Sequence, residues 1–579
     1  MAAGGAPNTR RRAVIVAALL VLGYMGVCTR LVYLQVIRQG DLYSKADRQQ
    51  KKVITLQPKR GTIYDRRGRE LAVSVDVSSL YGVPSKVTDP DAVAGKLAPV
   101  LGISRGELKD RLSGNRPFVW LARKLTEDMR SKVDAAGRFK EFIGWLPESR
   151  RYYPNRGLAG QVIGFTGMDN EGLEGLEKVY QGGIGGVPGK VVIEKDGAGR
   201  DVLSIKEGYI APMSANDMVL TIDENIQYFV EKELDMVMDR YKPKSATAIV
   251  MDPNTGEILA MANRPTFNPN SWQDYRPASW RNRAVADTYE PGSTFKVITA
   301  SAAIEEGVVR PTDIIDCGNG EVTVGDRVIH NSHKEGGPMR FSEVIQKSNN
   351  VGTVKVALRL GRDNLYKYAK AFGIGQKTGV ELPGEVSGTL RDVKQWSPVS
   401  LAEVGIGQGT SVTALQMLTA LNCIANGGSY VKPYIVSRLS SQDGGVISEN
   451  RPLRVRRVVS QATARKITEI LSTVVEEGGT AMKANIKGYQ VAGKTGTAQK
   501  YDRALRGYSK EKFVGSFMGF CPADSPRVSA IVVVDEPKGE YYGGAVAAPA
   551  FRGIVEQTLT YMRVPTRLPE QTVLVERAG

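Results

Sequence analysis

One charge-free run near the amino terminus constrains this chain more than any other stretch. Arg10, Arg11 and Arg12 stand in a row, and Ala13 to Cys28 follow without a charged residue. At 1.5 Å per residue that run spans about 24 Å, short of the roughly 30 Å hydrocarbon core of a bilayer. Thr29 and Arg30 interrupt it, and Leu31 to Leu34 resume the apolar pattern. Taken over 13–34 the segment reaches about 33 Å, with Arg30 near enough to its far end to snorkel outward. A cleaved signal peptide also pairs basic residues with an apolar run. Here the run is long, and the bulky stretch Leu31–Val36 offers no small-residue cleavage site. The reading is a retained transmembrane anchor over 13–34, preceded by a tail over 1–12. The three arginines favour a cytoplasmic tail, but Arg38, Lys45, Arg48, Lys51 and Lys52 follow the segment against only Asp41 and Asp47. Charge counting therefore leaves the topology open. No second run of similar length follows, so the rest of the chain lies on one side.

That remainder has material for real cores. At 42% hydrophobic and 24% charged residues, disorder and a multi-span membrane protein are both excluded. The net charge of +17 invites a nucleic-acid reading. No helix-turn-helix, zinc finger or aromatic-basic motif organises those cations, so no nucleic-acid partner is expected; anionic lipid headgroups fit better. Cys28, Cys317, Cys423 and Cys521 form no CxxC pair, and the only histidines, His330 and His333, sit in one polar stretch. Thiol redox chemistry and metal ligation have nothing to stand on, and no cofactor is expected.

Along the chain, Arg60–Gly68 followed by the alternating Leu71–Val77 reads as a hairpin turning at Asp65–Gly68. Residues 83–150 read as mostly helical, and the glycines from Gly172 to Gly199 as loop-rich ground with little core. Composition shifts near 218. A short strand, Val219–Asp223, leads to a helical face at Ile226, Phe229, Val230, Leu234, Val237 and Met238. Strands Ser245–Val250 and Glu257–Ala262 flank the turn Asp252–Gly256. The pattern over 218–563 is that of an α/β domain, with helices near 293–306, 341–356, 362–372 and 411–425. Strands are expected near 487–498, 512–520 and 528–535, a closing helix over 549–562, and a polar tail over 564–579.

Chemistry concentrates in three places. In Glu290–Pro291–Gly292–Ser293–Thr294–Phe295–Lys296, Ser293 opens a helix and Lys296 shares its face one turn on. A serine hydroxyl needs a base, and a lysine whose pKa is lowered by burial can take its proton. For a Ser-His-Asp triad only His330 and His333 could supply the histidine. Ser348–Asn349–Asn350 offers a hydroxyl and an amide to relay a proton and hold a substrate backbone. Lys494–Thr495–Gly496–Thr497 lies where a strand is expected, with a cation and hydroxyls for a carboxylate and a glycine for close approach. Two partial copies lack this setting: Ser509–Lys512 lies in a charged run, and Lys377–Thr378–Gly379 in a turn.

Together these motifs resemble those of serine β-lactamases and penicillin-binding proteins. The chain is similar to a class B penicillin-binding protein, a monofunctional peptidoglycan D,D-transpeptidase, from its anchor to about residue 562. The resemblance implies a β-lactamase-like transpeptidase domain, an antiparallel sheet flanked by helices, preceded by an elongated α+β pedestal over 38–215. It makes Ser293 the nucleophile, Lys296 the base, Ser348 and Asn350 the relay, and Lys494, Thr495, Gly496 and Thr497 the carboxylate site. The backbone N–H groups of Ser293 and Thr497 would form the oxyanion hole. Three further segments resemble the family's pedestal motifs, placing Arg60, Gly61, Asp65, Arg66, Gly68, Arg151, Glu174 and Tyr180 among their residues. Asp287–Pro291 and Phe267–Asn270 lean toward the septal, cell-division type over the elongation type. By the same resemblance the catalytic domain is extracytoplasmic and meets stem peptides of lipid-linked nascent glycan. Its partners would be a polytopic glycosyltransferase and other divisome membrane proteins. A β-lactamase, a β-lactam sensor or a non-enzymatic division scaffold are the rival classes.

Overall fold

Strands that run apolar on both faces must be covered on both, and that requirement organises the catalytic part of the chain. The computed structural model describes residues 7–40, 51–116, 118–195, 201–202, 209–213, 215–332, 335–502 and 507–566. His333 and most of the tail expected over 564–579 lie outside the described residues.

The chain divides into two compact units. The first gathers 1–58, 76–148 and 187–213. Its helix α1 (Pro7–Val32) continues as a π-helical turn to Ile37. It is the one helix among the described residues long and apolar enough to cross a membrane, and its leucines and valines are exposed along its length. The helix begins before Ala13 and takes in the three arginines, because helical hydrogen bonding has no reason to stop at a hydrocarbon edge. The stretch expected to be mostly helical holds three helices, Pro90–Leu101, Arg105–Leu112 and Glu127–Ala135, each opened by a side-chain cap from Asp89, Ser104 or Thr126. Between and after them lie strands Val119–Leu125 and Ile143–Tyr152, which the helical reading missed. Leu80, Leu97, Leu108 and Leu121 meet in one core there, so packing across the sheet overrides local helical preference.

The second unit gathers 59–75, 149–186 and 214–579. Its centre is a five-stranded antiparallel sheet of β1 (Ser245–Met251), β2 (Ile258–Arg264), β3 (Ala492–Asp502), β4 (Gly507–Cys521) and β5 (Val528–Asp535), in the order β2-β1-β5-β4-β3. Alternation sorts its residues to two cores. Ala248 and Val250 of β1 and Val532 and Val534 of β5 meet α2 (Glu224–Tyr241) and α7 (Ala548–Tyr561) through Val230, Leu234, Phe551 and Val555. Ile249 and Ile531 point the other way, into the core that holds Phe295, Ile298, Leu418 and Leu421. Those residues belong to α3 (Lys296–Glu305), with the turn before it, and α5 (Ala414–Ala425). Helix α6 (Gln461–Thr473) packs beside them. This is the expected α/β transpeptidase-type fold. The helix expected over 341–356 is broken at Ser348, and α4 (Asn350–Leu360) starts afresh after it.

The glycine-rich stretch after Gly172 is not the coreless ground expected. Leu176, Glu177 and Ile184 are fully buried. What fills this region is charge: Glu177 Oε1 accepts from Arg151 Nε at 2.6 Å and its Oε2 from Arg60 Nε at 2.8 Å. Arg60 also donates to the Asn170 carbonyl and Gln181 Oε1, both at 2.6 Å, and Arg151 to the Gly61 carbonyl at 2.8 Å. Burial opposes ionisation of Glu177, but the two guanidiniums outweigh it and hold the carboxyl below its ordinary range. Counting apolar residues cannot find a core built from ions.

Candidate active site

The nucleophile candidate sits on a tight turn. Gly292–Phe295 form a single 3₁₀ turn that runs directly into α3, so Ser293 stands at the helix mouth with Lys296 one turn below. Gly292 takes φ +51°, a conformation other residues rarely hold, and its N–H donates to the Gly407 carbonyl at 3.0 Å. Ser293 lines an open cleft of about 740 Å³, shared with Ser348, Asn350, Thr495 and Thr497.

Beneath the cleft floor lie two lysines, both fully buried. Lys296 Nζ donates to the Ser348 carbonyl and to Asn350 Oδ1, each at 2.6 Å, and lies 3.4 Å from Ser348 Oγ. Lys494 Nζ donates to Ser348 Oγ at 2.9 Å and to the Thr495 carbonyl at 3.2 Å. The Ser348 hydroxyl thus bridges two amines that have no ion-pair partner among the described residues. Burial, and then the neighbouring Lys494, push Lys296 far below the ordinary lysine pKa; burial alone brings Lys494 down to about 7. A buried amine with a lowered pKa on the serine turn's helix suits a general base, and a second amine titrating near neutrality suits a proton donor.

Ser348 is held in place at a cost. Its φ is +59°, a left-handed conformation that charges a non-glycine residue about 1–2 kcal/mol. The strain aims its hydroxyl and carbonyl at the lysines while the chain re-enters a helix. Asn349 caps that helix, its Oδ1 accepting from Gly352 N–H at 2.8 Å. The middle position of the motif is therefore structural.

The strand motif comes close to the nucleophile turn. A Cβ on Gly496 would stand 2.4 Å from Ser516 Oγ and 3.0 Å from the Pro291 carbonyl, so only glycine lets β3 lie against the turn. Lys494 points below the cleft, not into it. The expected carboxylate-binding hydroxyls both line the cleft: Thr495 is 2.8 Å from Thr480 Oγ1, and Thr497 accepts from Gly543 N–H at 3.1 Å. The turn and β3 bring Ser293 and Thr497 onto the same cleft, where the expected oxyanion donors would stand.

Sequence reasoning missed three contributors. Asn331 Oδ1 accepts from the N–H groups of Asn350 and Val351 at 2.9 and 3.0 Å, fixing the start of α4. Thr480 and the Gly407–Gly409 loop carry no local signal, since each acts on a motif far away in the chain. His330 contributes its carbonyl to Asn350 Nδ2 at 2.8 Å, while its ring faces Glu321. The partial copies are elsewhere: Ser509 lies in β4, capping the N–H groups of Glu511 and Lys512, and Thr378 bonds Glu385 at a turn.

The pedestal residues fall in the catalytic unit, and not all in one cluster. Arg60, Gly61 and Arg151 join the Glu177 network. Asp65 is fully buried and accepts from the N–H groups of Arg67, Arg69 and Glu224, the last at the start of α2. Gly68 closes that turn at φ +81°, and Arg66 pairs with Glu257 at 3.3 Å. Glu174 is half-buried and lies 3.8 Å from Lys178, and Tyr180 packs half-buried against the main core. Glu177, three residues after Glu174, carries the ion network.

Comparison with known proteins follows the same outline. Residues 246–556 match the family described as penicillin binding protein transpeptidase domain, and 55–220 match the penicillin-binding protein dimerisation domain. Stage V sporulation protein D of Bacillus subtilis is 35% identical over 568 residues, covering 97% of this chain and 87% of that protein. Peptidoglycan D,D-transpeptidase FtsI of Escherichia coli is 34% identical over 569 residues, covering 96% and 92%. The crystal structure of penicillin binding protein 3 from Mycobacterium tuberculosis in complex with ampicillin superposes with a TM-score of 0.70 at 29% identity, over 91% of this chain and all of that one.

Proposed function

Since this chain belongs to the class B penicillin-binding proteins and is a peptidoglycan D,D-transpeptidase, we propose that Ser293, Lys296, Ser348 and Lys494 carry its acyl transfer. Ser293 Oγ attacks the carbonyl between two D-alanines of a stem peptide, and its proton passes to neutral Lys296. The tetrahedral oxyanion rests on the backbone N–H groups of Ser293 and Thr497; one such donor is worth about 3–4 kcal/mol. The C–N bond then breaks, and the terminal D-alanine leaves as an amine, taking a proton delivered through the Ser348 hydroxyl. An amino group from a second strand attacks the ester by the reverse route and restores Ser293. Thr495 and Thr497 hold the terminal carboxylate, and the Lys494 charge below them adds to its attraction. Lys494 acts through Ser348 and Thr495 and makes no contact of its own in the cleft.

One observation carries this reading: two buried amines without counter-ions among the described residues, joined by the hydroxyl of a strained serine, under a cleft that Ser293 lines. Its test is acylation of the purified protein by a labelled penicillin, with the modified residue found by mass spectrometry. Adduct on Ser293 in the parent chain and none in Ser293→Ala is the expected result. Adduct that persists in the variant refutes the assignment.

The apolar helix α1 is a single-pass anchor, and the substrate is the peptidoglycan precursor assembled beyond that membrane. We place the activity at the division septum, in company with a polytopic glycosyltransferase and other division proteins. Supporting this are the 34% identity to FtsI and the Asp287–Pro291 segment around the nucleophile turn. Depletion of the protein in its host should give filaments without completed septa; rounded cells would point to elongation instead.

A further inference from the structure

The proposed oxyanion site draws its two N–H donors from separate elements, Ser293 on the turn before α3 and Thr497 on β3. Their spacing depends on how firmly those elements are held together. Backbone bonds anchor the approach to the turn at two points. Tyr289 and Val412 exchange N–H···O bonds of 3.0 and 2.9 Å, and the Gly292 N–H donates to the Gly407 carbonyl at 3.0 Å. Between these anchors the antiparallel pairing cannot run on. The next bonded pair would need an N–H from Pro291, which has none.

A side chain fills that gap. Glu290 Oε1 accepts from the Gly409 N–H at 3.0 Å and from the Tyr508 hydroxyl of β4 at 3.1 Å. One carboxyl oxygen thus ties three segments: the approach to the nucleophile turn, the loop that ends the helix Pro398–Gly405, and the hairpin of β3 and β4. The loop has little slack of its own. Its Gly407 and Gln408 N–H groups donate to the Val404 and Glu403 carbonyls, each at 2.9 Å, and a Cβ on Gly407 would stand 2.2 Å from the Gly292 carbonyl oxygen. Thr497 pairs with Gly515 in the β3–β4 register, so what holds β4 also places Thr497. Burial raises the pKa of Glu290 against the pull of its two donors, and burial likewise raises that of Tyr508, which keeps the phenol able to donate. Neither bond needs a charge on Glu290, only an oxygen in that place.

We propose that Glu290 is a positioning residue: through Gly409 and Tyr508 it fixes the Ser293 turn against the hairpin that carries Thr497, and so sets the geometry of attack and of the oxyanion hole. Glu290 does not itself line the catalytic cleft, so it acts on the reaction only through what it holds. The inference rests on Ser293 being the nucleophile. Losing the tie lowers the rate constant of acylation, because a misplacement of about 1 Å can cost about 10²-fold. Noncovalent binding of a penicillin stays, because the groups that face the cleft are untouched.

Stopped-flow acylation of the full-length protein in detergent by a fluorescent penicillin separates the two steps, and mass spectrometry places the adduct. Glu290→Leu, similar in size but without an acceptor, should slow the acylation rate constant at least tenfold and change the noncovalent dissociation constant less than threefold. Glu290→Gln, which restores an acceptor oxygen, should return the rate constant to within threefold of the parent. Tyr508→Phe should slow it at least threefold in the parent chain and no further beside Glu290→Leu, because the hydroxyl acts through that carboxyl. A parental rate constant in Glu290→Leu overturns the proposal, and so does a change confined to the dissociation constant. A loss in Glu290→Gln as deep as in Glu290→Leu, or a tyrosine effect that persists beside Glu290→Leu, overturns it too. If urea unfolding shows that Glu290→Leu does not fold, Tyr508→Phe decides alone, and a parental rate constant there is the overturning result. An adduct away from Ser293 in the parent chain refutes the Ser293 assignment and this proposal with it; with the adduct on Ser293, the variants bear on Glu290 alone.

Discussion

Replacing Ser348 by alanine isolates the proton path from the rest of the site. The hydroxyl lies 2.9 Å from Lys494 Nζ and 3.4 Å from Lys296 Nζ, and it lines the cleft. Its removal leaves the Lys296 contacts to the Ser348 carbonyl and Asn350 Oδ1 intact, so the base keeps its place. The structural loss is about one hydrogen bond, roughly 1 kcal/mol. The kinetic loss is larger, because a positioned proton donor contributes about 10²–10⁴-fold, or roughly 3–5 kcal/mol of barrier. The second-order rate of acylation by a fluorescent penicillin should therefore fall at least a hundredfold while the unfolding midpoint barely moves. Ser348→Gly sharpens the comparison. It removes the same hydroxyl but relaxes the left-handed backbone at φ +59°, so it should be as slow as the alanine variant yet no less stable. An acylation rate within threefold of the parent in both variants would refute the relay.

The lysine pair also ties stability to pH. Lys494 falls from the ordinary 10.5 to about 7 on folding and Lys296 also falls well below its ordinary value, so at pH between about 7 and 10.5 the unfolded chain binds more protons than the folded one. Stability should then rise with pH across that window, by up to about 1.4 kcal/mol per pH unit for each lysine. The rise in urea midpoint should be smaller in Lys494→Met, and equal slopes would overturn the claim that burial depresses this group. Gly496→Ala places a methyl 2.4 Å from Ser516 Oγ and should cut penicillin acylation at least tenfold by moving β3 off the nucleophile turn; unchanged kinetics would deny that contact. Glu177→Gln leaves two buried guanidiniums facing a neutral amide, and should cost about 3–5 kcal/mol in urea unfolding. A loss below about 1 kcal/mol would mean the ion cluster is not holding the segments 59–75 and 149–186 together.

The parts legible in the sequence are those governed by neighbours along the chain. The anchor follows from one apolar run, and the central strands from apolar stretches bounded by turns. The Ser293 turn follows from Pro291 and Gly292 before a helical face. What failed was local reading of segments whose state is set at a distance. Val119–Leu125 joins a sheet because strand Glu70–Gly82 is there to receive it. The helix reading over 341–356 missed a left-handed residue because Ser348 has no local reason to adopt that conformation.

By itself, then, the sequence determined that Ser293, Lys296, Ser348, Asn350 and the Lys494–Thr497 strand belong together, since each motif carries its own helix or strand context. Tertiary structure alone decided which way each group faces and what charge it bears. Lys494 sits 146 residues from Ser348 in the chain and 2.9 Å from it in space. Glu177 is chosen over Glu174 because Arg60, 117 residues away, arrives beside it with Arg151. A pKa depends on burial and on charges a few ångströms away, and neither quantity exists until distant segments have packed. That is why the chemistry could be named from residues, while the lowered lysine pKa values had to wait for the fold.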